Sequence, residues 1–339
     1  MTLSKRKNWQ AAELKPVEFP LKRALLSNWF VTWTSPENPA YNYQAYTESR
    51  YYLFGGRLRG LRLVKLKQYV SLITTIVLHV VSLPLYIIFE ARYAWTHISP
   101  AIIFIFCYLW CLSASCLIRA TFQDPGLLPR NVHLVDNVVR NGLPIEYINS
   151  QLVDGPKSKV ELKYCTTCYI WRPVRSSHCS MCNACILNMD HHCPFLANCI
   201  GQRNHWHFLC YLTFTILLCA FVCAQTAYRI SRQDIADTPM SLFLLIYAAL
   251  CIMFPASLLF THLCFGLTGI TTREYLATDR VEGHFFLKDV CLNPFNSGNL
   301  IANWLRQWLR PRGLSTLPLR QQFTETDTRF QEYVIGSLT

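Results

Sequence analysis

Charge is scarce in this sequence. Only 15% of its 339 residues are Asp, Glu, Lys or Arg, and the 20 acidic side chains are outnumbered by 32 basic ones. With 52% hydrophobic residues and a mean hydropathy of +0.19, the chain departs from the soluble average and points to a membrane protein with modest polar parts. The first residues, MTLSKRKNWQ, lead into no apolar core with a cleavage site. No removable signal peptide is therefore expected, and the first span must act as its own insertion signal. The net charge of +12 is not gathered into a continuous basic stripe with interleaved aromatics, which argues against nucleic acid as a partner. Ionisable residues are also few inside the long apolar runs, which sets a transporter aside.

Four of those runs are long and apolar enough to cross a bilayer, which needs about 20 residues per helix. They lie near Tyr69 to Phe89, Ile98 to Ile118, Phe208 to Tyr228 and Leu242 to Phe265, with Pro84 and Pro255 tolerated inside two of them. The expected fold is an all-α membrane protein of four transmembrane helices, with a cytosolic zinc-binding cysteine-rich domain between helices 2 and 3. Basic residues set the orientation. Arg57, Arg59, Arg62, Lys65 and Lys67 precede the first span, Lys157, Lys163 and Arg172 are among those in the insert, and Arg273, Lys288 and Arg306 follow the last. The loop after span one carries only Arg92, and the loop after span three only Arg229 and Arg232. Both termini and the insert are thus expected in the cytosol.

The resulting organisation is an N-terminal region at 1–68, two spans at 69–118, an insert at 119–207 with its cysteine-rich domain at 164–204, two spans at 208–265 and a C-terminal region at 266–339. Residues 1–50 and 315–339 show little periodic pattern and read as mobile tails. Spans without a cleaved leader fit the endoplasmic reticulum or the Golgi membrane.

The chain has 16 cysteines, seven of them between Cys165 and Cys199 in the run YCTTCYIWRPVRSSHCSMCNACILNMDHHCPFLANCIG. Most others, such as Cys107, Cys219 and Cys251, lie in apolar stretches and read as small packing residues. Cys165 and Cys168 form one CxxC pair, Cys179 and Cys182 a second, and Cys182 and Cys185 an overlapping third. In a reduced cytosol this spacing favours tetrahedral zinc over disulfides. Seven Cys and three His give ten candidate ligands, and two closed sites of three Cys and one His use eight. One Cys and one His remain, the parts of an activated thiol. Counting does not say which they are. Only around Asp190, His191, His192 and Cys193 do a carboxylate, an imidazole and a thiol lie within four residues. That segment either orients a base toward a nucleophile or serves the metals entirely.

These residues resemble the DHHC protein S-acyltransferases, or palmitoyltransferases. The resemblance runs from about Tyr51 to Trp304 and includes Asp124-Pro125-Gly126, Cys199-Ile200-Gly201-Gln202-Arg203-Asn204, Thr271-Thr272-Arg273-Glu274 and Asn293-Pro294-Phe295 with Gly298, Asn303 and Trp304. It implies two interleaved structural zinc sites, Cys165, Cys168, His178 and Cys185 on one ion, and Cys179, Cys182, His192 and Cys199 on the other. His191 and Cys193 are then left over, with Asp190, as the catalytic group. The flanks Phe54-Gly55-Gly56-Arg57, Phe89-Glu90-Ala91-Arg92-Tyr93 and Phe122-Gln123-Asp124-Pro125-Gly126 resemble the branch containing the fungal Ras palmitoyltransferase catalytic subunit. Members of that branch work with a small accessory subunit, and the resemblance favours the endoplasmic reticulum membrane, with the Golgi membrane as the alternative. Two residues depart from the family: Phe195 stands where Trp is usual, and Ala197 where Asn is usual.

The implied reaction is two-step. Cys193, activated by His191 and Asp190, takes the acyl group of palmitoyl-CoA and passes it to a cysteine of a substrate protein, here a Ras-type GTPase. Burying the sixteen-carbon tail is worth roughly 11 kcal/mol, at about 0.8 kcal/mol per methylene. Phe195 is expected at its first carbons, and Arg172, Arg175 and Arg203 at the coenzyme A phosphates. Thr272, by the same resemblance, lies near Asp190. The competing reading is a non-catalytic membrane scaffold whose zinc knuckles bind partner proteins.

Overall fold

The computed structural model describes residues 30–32, 40–45, 50–61, 69–130, 151–154, 159–282, 293–317 and 319–323. Arg62, Lys65, Lys67, Lys157 and Lys288, counted above for orientation, lie outside them. Val70–Phe89, Ala101–Phe122, His205–Arg232 and Pro239–Thr268 are helices long and apolar enough to cross a membrane, so the chain is a multi-pass membrane protein.

The observed bounds shift the expected spans for local reasons. Span two starts at Ala101 because Pro100 precedes it and the Ser99 hydroxyl accepts from the Ala101 amide at 3.2 Å. Spans three and four run past their apolar centres to a capping residue, the latter from Pro239 to Gly269, which is left-handed at φ 69°. Pro84 and Pro255 both lie inside continuous helix.

Span three packs against both span two and span four and is the most enclosed of the four. Side chains such as Phe104, Leu250, Met253 and Phe260 point outward, as expected of surface that faces lipid. Where span one ends, buried Glu90 accepts from Arg229 at 3.2 Å and from Ser241 at 2.5 Å. A buried carboxylate without such partners would be costly, so this group fixes spans one, three and four together. His79 is buried in span one and stacks on Trp110 at 5.0 Å.

The fold is mostly helical, not all-α. Zinc-type spacing favours short turns over helices, and the insert is a series of antiparallel hairpins: Tyr164–Cys165 with Ile170–Trp171, Ser177–Cys179 with Ala184–Ile186, and His191–Cys193 with Asn198–Ile200. Asparagine side chains attach this insert to the helix ends, whose last carbonyls have no helical partner. Asn198 donates to Ala120, Thr121 and Gln123 at the end of span two, at 3.0 to 3.2 Å. Asn204 ties Ala120 to Cys199. At the end of span four, Asn293 donates to Thr268 and Gly269, and Asn303 to Leu267.

Asp124, just beyond span two, accepts from Arg59 at 3.0 Å, from Ser315 at 2.6 Å and from the Gly126 and Leu127 amides. Burial pushes its carboxyl up, but the Arg59 charge and these hydrogen bonds outweigh it and hold the group near about 2. Gly201 packs so closely that a Cβ would lie 2.5 Å from the Pro125 carbonyl oxygen. The regions read as mobile tails are ordered in part. Tyr41 bridges Gln322, and Tyr43 and Leu317 are buried against Leu127 and Ile186. Those apolar side chains supply an anchor that their lack of periodicity concealed.

The third hairpin turns through Ala197 at φ 46°, the left-handed region where Tyr169 and Asn183 stand in the other two. Asn adopts that conformation at less cost than Ala, so the departure at Ala197 carries strain. Ala197→Asn is expected to stabilise the detergent-solubilised protein by up to about 1 kcal/mol, seen as a rise in Tm. A lower Tm would contradict it.

Candidate active site

The three hairpins share one register. Cys165 pairs with Ile170, Cys179 with Ala184 and Cys193 with Asn198, so each opens on a cysteine and closes on the fifth residue after it. The cysteines lie fourteen residues apart, as do His178 and His192, and Cys185 and Cys199. Cys168 and Cys182 occupy the same position in the first two hairpins, and the third has Leu196 there. This period is a signal that counting ligands overlooks, and it separates Cys193 from the other cysteines: its hairpin lacks the second thiol.

Two groups of thiols and imidazole result. Cys165, Cys168, His178 and Cys185 place one ligand atom each within 4.8 Å of one another, and so do Cys179, Cys182, His192 and Cys199. His178 Nδ1 lies 3.6, 3.3 and 3.9 Å from the sulfurs of Cys165, Cys168 and Cys185. His192 Nδ1 lies 3.6, 3.5 and 3.5 Å from those of Cys179, Cys182 and Cys199. A tetrahedral ion with bonds of about 2.3 Å to sulfur and about 2.0–2.1 Å to nitrogen needs S–N edges near 3.6 Å. Both groups fit such an ion. All seven of these cysteines, Cys193 included, are free of disulfides.

Asp190, between the second and third hairpins, is 1% exposed. Its Oδ2 meets His191 Nδ1 at 2.6 Å and accepts from the Thr272 hydroxyl at 2.7 Å, and its Oδ1 accepts from the Thr272 amide at 3.0 Å. Thr272 is placed by a reciprocal cap at the start of the Thr272–Glu282 helix. The Thr271 amide donates to Glu274 at 2.9 Å, and the Glu274 amide donates to the Thr271 hydroxyl at 3.2 Å. Burial opposes the Asp190 charge, yet the hydrogen bond and charge of His191 hold its carboxyl well below the usual range. Burial likewise opposes charge on His191, but hydrogen bonds to Asp190 and Cys193 push it up to about 9.

Cys193 is buried among Leu117, Ala120, Leu196, Ile200, Phe208 and Leu209, so a thiol facing an imidazole meets the apolar ends of spans two and three. Phe195 is 37% exposed and packs on Phe254 of span four, with ring centroids 4.8 Å apart. The three arginines differ. Arg175 donates to Glu274 at 2.5 Å and lies over the Phe295 ring at 4.3 Å. Arg203 pairs with Asp124 at 3.5 Å and donates to the Gly313 carbonyl. Arg172 meets only the Lys163 carbonyl, at 3.2 Å, among the described residues. Reading the sequence missed His205 and His262, both buried beside Asp190. Each begins or lies within an apolar span, where a histidine carries no spacing signal.

Residues 158–279 match the family model described as DHHC palmitoyltransferase. The chain is 35% identical to palmitoyltransferase ERF2 of Kluyveromyces lactis over 90% of its own length and 88% of that protein. It is 36% identical to palmitoyltransferase ERF2 of Eremothecium gossypii, over 90% and 85%, and 34% identical to that of Debaryomyces hansenii, over 91% and 90%. With relatives of this identity aligned along nearly the whole of both chains, and the DHHC segment carried on a cysteine hairpin between membrane helices, the chain belongs to the DHHC palmitoyltransferase family.

Proposed function

We propose that Cys193 is the nucleophile of this palmitoyltransferase, His191 its base and Asp190 the group that orients the base. The observation that carries this reading is the third hairpin, in which Cys193 stands outside both Cys3His groups and faces an imidazole bonded to a buried carboxylate. His191 takes the thiol proton. The sulfur attacks the thioester carbonyl of palmitoyl-CoA, the bond to coenzyme A sulfur breaks, and that sulfur leaves with the proton from His191. A substrate cysteine then gives its proton to His191, its sulfur takes the acyl group, the bond to Cys193 sulfur breaks, and Cys193 recovers the proton from His191.

The two Cys3His groups are assigned to Zn2+. Closed sites of this kind supply a fixed frame and leave no open position for substrate. Among this chain's own residues, Cys185 and Cys199 close one hairpin each back on the site before it, which holds the third hairpin in place. The acyl tail is assigned to the apolar side of Cys193, with Phe195 and Phe254 at its first carbons. Arg172 is the one arginine of the three whose charge no acid meets among the described residues, and the phosphates of coenzyme A are assigned to it first, with Arg175 and Arg203 at the margin.

The basic residues around the insert support a cytosolic insert and cytosolic termini, and the flanking motifs support a small accessory subunit, Ras-type substrates and the endoplasmic reticulum. A scaffold without catalysis would give the Asp190–His191–Cys193 chain no task.

His191→Gln is expected to slow acyl-enzyme formation from palmitoyl-CoA by about 100-fold or more, with the metal content unchanged. An unaltered single-turnover rate would remove His191 from the mechanism. The purified protein is expected to carry two zinc ions by elemental analysis, and Cys179→Ala to lose one and to unfold at a lower temperature. A metal content unchanged by Cys179→Ala would reject the assignment.

A further inference from the structure

Behind the Asp190–His191 pair lie two buried imidazoles that the reaction does not use, and they share Asp190 with it. Asp190, His205 at the start of span three and His262 inside span four each place one ligand atom within 4.8 Å of the others. The two imidazoles are 2% and 3% exposed, with ring centroids 5.9 Å apart. His262 also lies 5.8 Å from the His191 ring. Neither ring nitrogen of His205 has a hydrogen-bond partner, and Nδ1 of His262 has none. Buried polar atoms are nearly always paired, and each imidazole brings one ring nitrogen to the neighbourhood of the same carboxylate oxygen while carrying unpaired nitrogen, so the space between them suits an electrophilic occupant.

We propose that Asp190, His205 and His262 form a regulatory site for a divalent transition-metal ion of the zinc, cobalt or nickel type. The donor set, two neutral imidazoles and one carboxylate, is one that such ions select, whereas magnesium and calcium prefer oxygen alone. Bonds of about 2.0–2.1 Å require ligand atoms about 3.3 Å apart, so a modest closure of the three side chains suffices. No covalent bond changes. Each donor gives a lone pair, and the ion draws on the carboxylate that accepts from His191. Arg310 faces the same carboxylate and its charge opposes a cation. Occupation is therefore weak and reversible, unlike that of the Cys3His groups. The inhibitory consequence rests on the catalytic role proposed above for Asp190, but the binding does not.

The test uses the full-length protein with both Cys3His groups loaded with zinc. Titrated Co2+ is expected to give saturable visible bands without the sulfur-to-cobalt charge-transfer absorption that exchange into a thiolate site would produce. Over the same range the acylation rate is expected to fall about tenfold or more, the size of effect common when a supporting contact at such a site is lost. His205→Gln and His262→Gln are each expected to abolish the bands, and each variant's own rate is expected to be insensitive to Co2+. Absence of the bands from the wild type, or bands and inhibition unchanged in both variants, would overturn the proposal. The wild-type spectrum decides even if a variant fails to fold. Bands without inhibition would uphold the site and overturn the role of Asp190 in catalysis.

Discussion

Asp190 is an anion held almost wholly out of water, and the active region is arranged around keeping it there. An isolated buried carboxylate is expensive enough to be protonated instead. Here it is met by His191 at 2.6 Å and by Thr272 through both hydroxyl and amide. Each partner comes from a different part of the chain. His191 opens the third hairpin, and Thr272 follows span four through a left-handed glycine and a reciprocal helix cap. Satisfying one charge thus fixes the insert relative to the last span.

The Cys3His groups and the asparagine caps hold that arrangement by separate means. The two Cys3His groups span the two hairpins that precede Cys193, and Cys199 ties the strand that pairs with it to the second group. Asn198 and Asn204 then connect this strand to the end of span two. The thiol consequently meets two environments. On one side is a polar chain of imidazole and carboxylate, and on the other the apolar ends of the spans. A thioester whose head is reactive and whose tail is sixteen carbons long requires both in one place.

Much of this was legible in the sequence because the controlling interactions are periodic or chemically unusual. Apolar runs gave four spans, and the leftover Cys and His pointed to a residual thiol. Span bounds missed by several residues because hydropathy does not register Ser99, Pro239 or Gly269, which set the ends by capping. The β hairpins of the insert were hidden by the same cysteine spacing that identified its chemistry. Tyr43 and Leu317 gave no signal, since their burial depends on two distant segments meeting. The fourteen-residue repeat was present in the sequence but obscured, because its third copy has Leu196 where the others have cysteine. His205 and His262 were invisible for a different reason: their meaning comes wholly from what the spans bring beside them.

The central claim is that Cys193 is the thiol the metal frame leaves free. Native mass spectrometry of the full-length protein, with any subunit it requires, tests this by counting metal ions and acyl groups on one molecule after exposure to palmitoyl-CoA. The account predicts two retained ions and one hydroxylamine-labile palmitoyl group, with the ions but not the acyl group present in Cys193→Ser. Loss of an ion on acylation, or the same acyl gain in Cys193→Ser, would contradict it.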